Sequence, residues 1–407
     1  MTLAAALPVD PPSTNVVNVA TGLDRAVNSG ATVPTSFIPL YFLTGTSLEN
    51  ALTQLSGEVA TGAQRGAFLL TSQFLDVMLD PFVYGGSSIG RGTAPGFAAE
   101  REGLPQDVTL AYAKAVKAPG YKAPPLYDPH WSVWAGGYGG YNHTDGDPVG
   151  IGSHDVTART FGGAGGFDYH FSPDTVAGFA LAGGGTNWSL AQGLGSGRSD
   201  AFQAGVYAAT RSGPWYLAGA LAFTYHWMST DRFAAFDDHL TANFNAQSFG
   251  GRVEGGYRFA TVVGGVTPYA AVQAQSFHTP SYNETDVTGG GFALSFDSHT
   301  GTDTRSELGA RFDHAAWVSP DAALILRARL AWAHDWITDP TLVPVFQALP
   351  GSSFIVDGAV PAENSALVSA GAELRFANGI TLLAKFDGDF ASHSQTYAGT
   401  GTLRYTW

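Results

Sequence analysis

From residue 130 to the C-terminus, apolar and polar positions alternate with a period of two. Tyr397, Gly399, Gly401, Leu403, Tyr405 and Trp407 fall on one face; Thr396, Ala398, Thr400, Thr402, Arg404 and Thr406 fall on the other. Upstream, Ile380, Leu382, Ala384 and Phe386 alternate with Thr381, Lys385 and Asp387. Such alternation marks strands with one apolar and one polar face. Twelve runs show it, over 131–142, 157–171, 175–187, 199–211, 214–228, 240–259, 266–278, 300–314, 323–336, 366–376, 379–391 and 395–407. Each is long enough for the roughly 9–11 residues that a tilted strand needs to cross a bilayer.

The connections carry a second signal. Ser172–Asp174, Ser212–Pro214, Ala260–Gly265, Ala315–Asp321 and Ala377–Gly379 are short. Between them come longer ones: Asn142–Val156, Ser189–Ser196, Ser229–His239, Thr279–Ser298 and Thr338–Ser365. Outer-membrane barrels require this alternation, with short periplasmic turns and long external loops. Aromatics near the strand ends, among them Trp215, Trp227, Tyr257, Trp336, Tyr405 and Trp407, read as interfacial girdles.

The N-terminal third follows a helical period. Asn15–Asn28 places Val16, Val19, Leu23 and Val27 on one stripe. Ser47 is the expected N-cap of a second helix carrying Leu48, Leu52, Leu55 and Val59. That helix is expected to continue to about Leu79, weakened at Gly57, Gly62 and Gly66 and ended by Pro81. Residues 84–96 read as a Gly/Ser-rich linker, and Leu104–Lys117 as a possible third helix near Lys114, Lys117 and Lys122. The organisation read from the chain is a helical junction region over 1–83, a Gly/Pro-rich linker over 84–129 with a possible pore helix at 104–117, and a barrel over 130–407. The fold class is an all-β membrane protein: a 12-stranded antiparallel transmembrane β-barrel preceded by an α-helical junction and pore segment.

Composition narrows the alternatives. With 20 basic and 34 acidic residues the net charge is −14, which argues against nucleic acid. The chain has no cysteine, so disulfide scaffolds, thiol nucleophiles and Cys-based zinc sites are excluded. Nowhere do 18 apolar residues run together, so no transmembrane helix is expected. The run Met1–Leu7 has no basic residues ahead of it and does not read as a signal peptide, so the chain is expected to be a fragment or to carry a misassigned start.

Candidate chemistry is sparse. Gly86-Ser87-Ser88-Ile89-Gly90 matches a nucleophile-elbow pattern but sits in the linker, without the strand and helix that motif needs. His143, Asp145, Asp147, His154 and Asp155 cluster in the first long loop and read as a solvated acidic loop rather than a metal centre. A carboxylate orienting His154 or His239 for hydrolysis has no support in the spacing. The Gly pairs at 136–137, 139–140, 162–163 and 165–166 read as places where the wall approaches the pore segment. Catalytic residues, metal and cofactor are all expected to be absent.

Taken in order along the chain, these segments resemble the autotransporter β-domain of type V secretion. Ser47–Glu58 is similar to the junction segment that precedes such barrels. Trp131–Gly140 resembles the first strand. Glu307–Phe312, Ala331–Trp336 and Gly371–Leu374 resemble later strands, and Leu403–Trp407 the aromatic-terminated last one. The resemblance implies a non-enzymatic, monomeric translocator in the outer membrane of a Gram-negative bacterium. It would be inserted with help from the barrel-assembly machinery and would hold its own passenger domain at the cell surface.

The expected site residues follow. Leu403, Tyr405 and Trp407 form an outward stripe serving as the assembly signal. Arg252, Glu254, Arg305, Glu307, Arg311, Arg327, Arg329, Glu373, Arg375, Lys385, Asp387 and Arg404 line the pore and meet the pore segment. Leu52, Gln54, Leu55, Ser56, Gly57 and Glu58 form the junction motif, packing rather than catalysing. The alternatives are an outer-membrane barrel whose external loops act in adhesion or hydrolysis, and a passive porin.

Overall fold

In the computed structural model, which describes residues 2–7, 12–83 and 130–407, the period-two region closes into an antiparallel barrel. Its strands are β1 (Trp131–Thr144), β2 (Val156–Ser172), β3 (Thr175–Leu190), β4 (Ser196–Ser212), β5 (Trp215–Ala234) and β6 (Asp238–Tyr257). The second half comprises β7 (Gly264–Thr279), β8 (His299–Val318), β9 (Ala322–Ile337), β10 (Asn364–Phe376), β11 (Ile380–Ala391) and β12 (Ser394–Thr406). The last strand pairs with the first, from Ser132 opposite Thr406 to Thr144 opposite Ser394. Closure satisfies every edge, as lipid demands of a spanning sheet.

All twelve expected strands are present, with most boundaries shifted outward by a few residues. The β3–β4 connection has the expected bounds, with Ser189 opposite Ser196. One expected long connection, Ser229–His239, is instead tight: the β5–β6 pairing continues to Ala234 opposite Asp238. Polar residues there, such as Ser229, Asp231 and Arg232, look like loop in sequence, yet they sit on a strand that rises above the apolar band.

The helical third forms α1 (Thr14–Asn28), α2 (Gly45–Leu55) and α3 (Gly62–Val83). The expected single helix from Ser47 to Leu79 is broken. Gly57 adopts φ +69°, a left-handed conformation that costs a residue with a Cβ about 1–2 kcal/mol. The second helix starts at Gly45 with no side-chain cap at its N-terminus, so Ser47 is not its N-cap. Pro81 does not end α3, which runs two residues further.

Helix α3 lies inside the barrel. At about 1.5 Å per residue its 22 residues span roughly 33 Å, close to the ~30 Å hydrocarbon thickness. Glu58–Val83 is long and apolar enough to cross a membrane, contrary to the expectation from unbroken apolar runs, but most of it is buried against protein. The two candidate pore segments are thereby distinguished: α3 fills the lumen, whereas 104–117 and the 86–90 motif lie outside the described residues.

Candidate functional site

The lumen has two unlike walls, and α3 matches each. Its apolar face, with Leu70, Phe74, Leu75, Val77, Met78 and Phe82, packs on a wall from β1–β5 built of Trp134, Tyr138, Ala180, Ala182, Ala218, Ala220 and Ala222. Alternating alanines keep that wall shallow enough to admit a helix. At Gly205 a Cβ would lie 2.7 Å from Met78 Cε, and at Gly250 2.7 Å from Thr71 Cγ2.

The Gly pairs named above have a different role. Only Gly140 approaches α3, at Gln73, whereas Gly162 makes room for Tyr138 and Gly166 for Trp134. Glycine opposite a large inward aromatic relieves wall-to-wall crowding, which a sequence alone does not separate from wall-to-helix crowding.

The opposite wall is charged. Arg252 donates to both oxygens of Glu307 (2.6 and 2.8 Å) and to Glu254 (2.8 Å). Arg311 forks onto Glu254 (2.8 and 2.7 Å), and the hydroxyls of Tyr216 and Tyr269 complete the two carboxylates. Arg305 bridges Asp335 and Asp389 (2.6 and 2.9 Å). Arg329 donates to Ser369 and Asp387 (2.9 and 3.3 Å), Arg375 to Glu373 (2.5 Å), and Arg327 pairs with Glu373. Bidentate, hydrogen-bonded pairs of this kind are how buried charges become tolerable.

Most of the charged residues expected to line the pore therefore meet one another rather than the helix. Three reach α3. Lys385 pairs with the Asp80 carboxylate, Arg327 donates to the Asp80 carbonyl (3.3 Å), and the Arg404 guanidinium lies 5.0 Å from the Phe82 ring centroid. Arg404 also pairs with Asp168, which accepts from Ser132 (2.6 Å) and Tyr207.

Groups missed in the sequence, neutral except for Arg211, make most of the polar contacts to α3. Arg65 donates to Asn142 and Ser394 (3.0 and 3.3 Å), and Gln64 to the Thr338 carbonyl (2.9 Å). Ser72 accepts from Gln273 and Gln275 (2.9 Å each), Gln73 accepts from Thr160 (2.8 Å), and Arg211 donates to the Phe82 carbonyl (2.7 Å). The signal for them was available: Gln and Thr at inward positions of strands whose outward positions are apolar.

At the long-loop end the junction residues sit in a cap. Helices α1 and α2 pack with the β7–β8 and β9–β10 connections around Phe37, Leu40, Leu52, Leu55, Phe292, Leu294 and Phe346. Arg232 donates to both oxygens of Glu284 (2.7 Å each) and to the Gln54 carbonyl (2.9 Å). Ser56 Oγ bonds back to the Thr53 carbonyl (2.8 Å), and Gly57 leaves room for Leu294, which a Cβ would approach to 2.5 Å. Glu58 accepts from the backbone N–H of His154 (2.6 Å) and lies 2.7 Å from its Nδ1. Burial pushes the Glu58 carboxyl up, and its bonds to His154 pull it back only in part.

His154 is thus a buried partner of the junction, not part of a solvated loop. His143, Asp145 and Asp155 remain together near the rim, with ligand atoms within 4.8 Å of one another. Leu403 and Tyr405 point outward, 49% and 44% exposed, and Tyr405 stacks on Trp407 at 5.4 Å.

The autotransporter β-domain family profile matches residues 133–387. An extracellular serine protease of Serratia marcescens is 25% identical over 279 residues, 68% of this chain but only 26% of that protein, so the chain spans about a quarter of that relative. Among solved structures, the translocator domain of autotransporter NalP from Neisseria meningitidis aligns over 74% of this chain and 96% of its own, with TM-score 0.56 and 17% identity. The β-domain of the Bordetella autotransporter BrkA aligns over 68% and 100%, with TM-score 0.52 and 16% identity. The chain therefore belongs to the autotransporter β-domain family, outer-membrane translocator barrels of Gram-negative bacteria that carry an N-terminal passenger.

Proposed function

We propose that this structure is the sealed state reached once the N-terminal segment has crossed the barrel. The observation that carries it is the course of α3. It enters at the long-loop end, beside Trp188 and Thr186, and ends at Phe82 among Tyr207, Arg211 and Arg404 near the short turns. Short turns face the periplasm in outer-membrane barrels. Residues ahead of α3 are then outside the cell, and the loop cap holds them there.

On this reading Leu52–Glu58 is the clamp that fixes the segment at the pore mouth. The charged β7–β12 wall is a polar surface along which an extended chain could slide before α3 settles. The outward stripe Leu403, Tyr405 and Trp407 is what the barrel-assembly machinery reads, and the barrel works as a monomer without catalysis. Two features support the clamp: Gly57 requires its left-handed turn, and Glu58 is held by two bonds from a loop 96 residues away in sequence.

The test is cellular. A signal peptide and epitope placed ahead of Thr2, expressed in a Gram-negative host, should give a heat-modifiable outer-membrane band and an epitope reached by antibody on intact cells. An epitope confined to the periplasm overturns the reading and favours a passive or loop-functional barrel.

A further inference from the structure

The outer wall carries a feature that the translocator role does not use. Strand arginines otherwise face the lumen, but Arg159 on β2 and Arg198 on β4 face outward and are exposed. Neither forms an ion pair within 4 Å among the described residues. Arg198 Nε donates only to Ser229 Oγ (3.3 Å), and the Arg159 guanidinium lies 5.9 Å from the Tyr141 ring centroid.

Strand register places them in one row. Tyr141 is opposite Arg159, Arg159 opposite Asn187, Asn187 opposite Arg198, Arg198 opposite Ser229, and Ser229 opposite Asn243. This row floors a depression of about 850 Å³ on the barrel exterior. With strands about 4.8 Å apart, the two arginine backbones lie roughly 10 Å from each other.

The height of the row matters as much as its chemistry. On β5 the outward residues Trp215, Leu217, Leu221, Phe223, Tyr225 and Trp227 form the apolar band, and the row begins at Ser229, directly above it. Below Asn187 on the outer face of β3, Gly185 lies under the Phe161 ring, whose Cζ is 3.4 Å from where a Cβ would be, and Gly183 beyond it has nothing within 4 Å and is opposite the exposed Phe202. An apolar furrow at Gly183, closed at its upper end by the Phe161 ring, thus lies below a polar rim bearing two guanidinium groups.

We propose that this flank binds a phosphorylated glycolipid of the outer leaflet. The two guanidinium forks would take phosphate oxygens, Asn187, Ser229 and Asn243 would take sugar hydroxyls, and an acyl chain would lie in the furrow. Guanidinium matches phosphate in bidentate geometry, and it gains most where water is scarce. Two carboxylates flank the row: Asp231, which lies 3.1 Å from His239 Nε2 and so has its own partner, and the exposed Asp200, two residues from Arg198 on the outer face of β4, which the lipid phosphate would have to avoid. The proposal rests on the outer-membrane placement of the barrel.

The full chain, purified in mild detergent, is titrated with diphosphorylated lipid A, with the same lipid after phosphatase treatment, and with inorganic phosphate. The wild type should bind the phosphorylated lipid about tenfold or more tightly than the dephosphorylated form. Arg159→Gln/Arg198→Gln should lose that preference while keeping the heat-modifiable band, each single variant should lose part of it, and Arg25→Gln in the cap should lose none. Equal binding of the two lipids, an unaffected double variant, or saturable inorganic phosphate with no lipid preference (a free-anion site) overturns the proposal. Loss of heat-modifiability in the wild type contradicts the barrel placement itself, separately from the lipid.

Discussion

The Glu58 carboxylate accepts the backbone N–H of His154 at 2.6 Å and lies 2.7 Å from the same residue's Nδ1. The strand-borne loop after β1 is thereby tied to the turn where the N-terminal segment enters the pore. Removing the carboxylate in Glu58→Ala leaves a buried donor unsatisfied, at a cost of about 1–3 kcal/mol. Amide exchange at residues 152–155 should accelerate by about fivefold to 150-fold, with β1–β12 unaffected.

The same group gives the cap a pH dependence. Burial raises the Glu58 carboxyl above its ordinary value, so the folded cap holds a proton that the open cap releases. Its contribution is fully present below the open-state value and is lost as pH rises through the raised one. Protection of the 152–155 amides should fall over that window, and Glu58→Gln should flatten the dependence.

Lys385 and Asp80 form the one ion pair between the charged wall and the α3 carboxylates that the described residues show by contact. Breaking a buried pair on one side costs about 3–5 kcal/mol, whereas replacing both partners by apolar groups is often neutral. Lys385→Met should loosen α3 and raise single-channel conductance in planar bilayers. Lys385→Met/Asp80→Leu should restore the quiet state, and deletion of residues 1–83 should leave a fully open pore.

Gly57 offers a geometric test. An alanine there meets both a left-handed φ of +69° and the Leu294 side chain. Gly57→Ala should destabilise the cap by about 1–2 kcal/mol from the backbone alone. On intact cells, added protease should then cut within residues 44–62, which the wild type resists.

The strand pattern was legible because most lipid-facing positions obey the same rule, and the outward faces of β5, β9 and β12 are nearly unbroken apolar runs. The break at Gly57 was readable only as a weak point in one helix. Its reason lies in Leu294, 237 positions away, and a local pattern does not encode that contact. His154 was misplaced in solvent for the same cause, since its partner Glu58 is 96 positions away. Charged lumen residues were easy to name, yet their partners were not. Glu254 and Glu307 are indistinguishable in sequence from groups that touch α3, although both are saturated by Arg252, Arg311 and Arg329 on the wall. The alanine wall of β3 and β5 passed unnoticed because small residues alternate less visibly than charged ones.

The proposed orientation puts the start of α3 outside the cell and the short turns inside. Two epitopes decide it, one ahead of Thr2 and one in the Asn378 turn between β10 and β11. Antibody should reach the first on intact cells and the second only after the outer membrane is opened. Access to the Asn378 epitope on intact cells, with the N-terminal one protected, would contradict it.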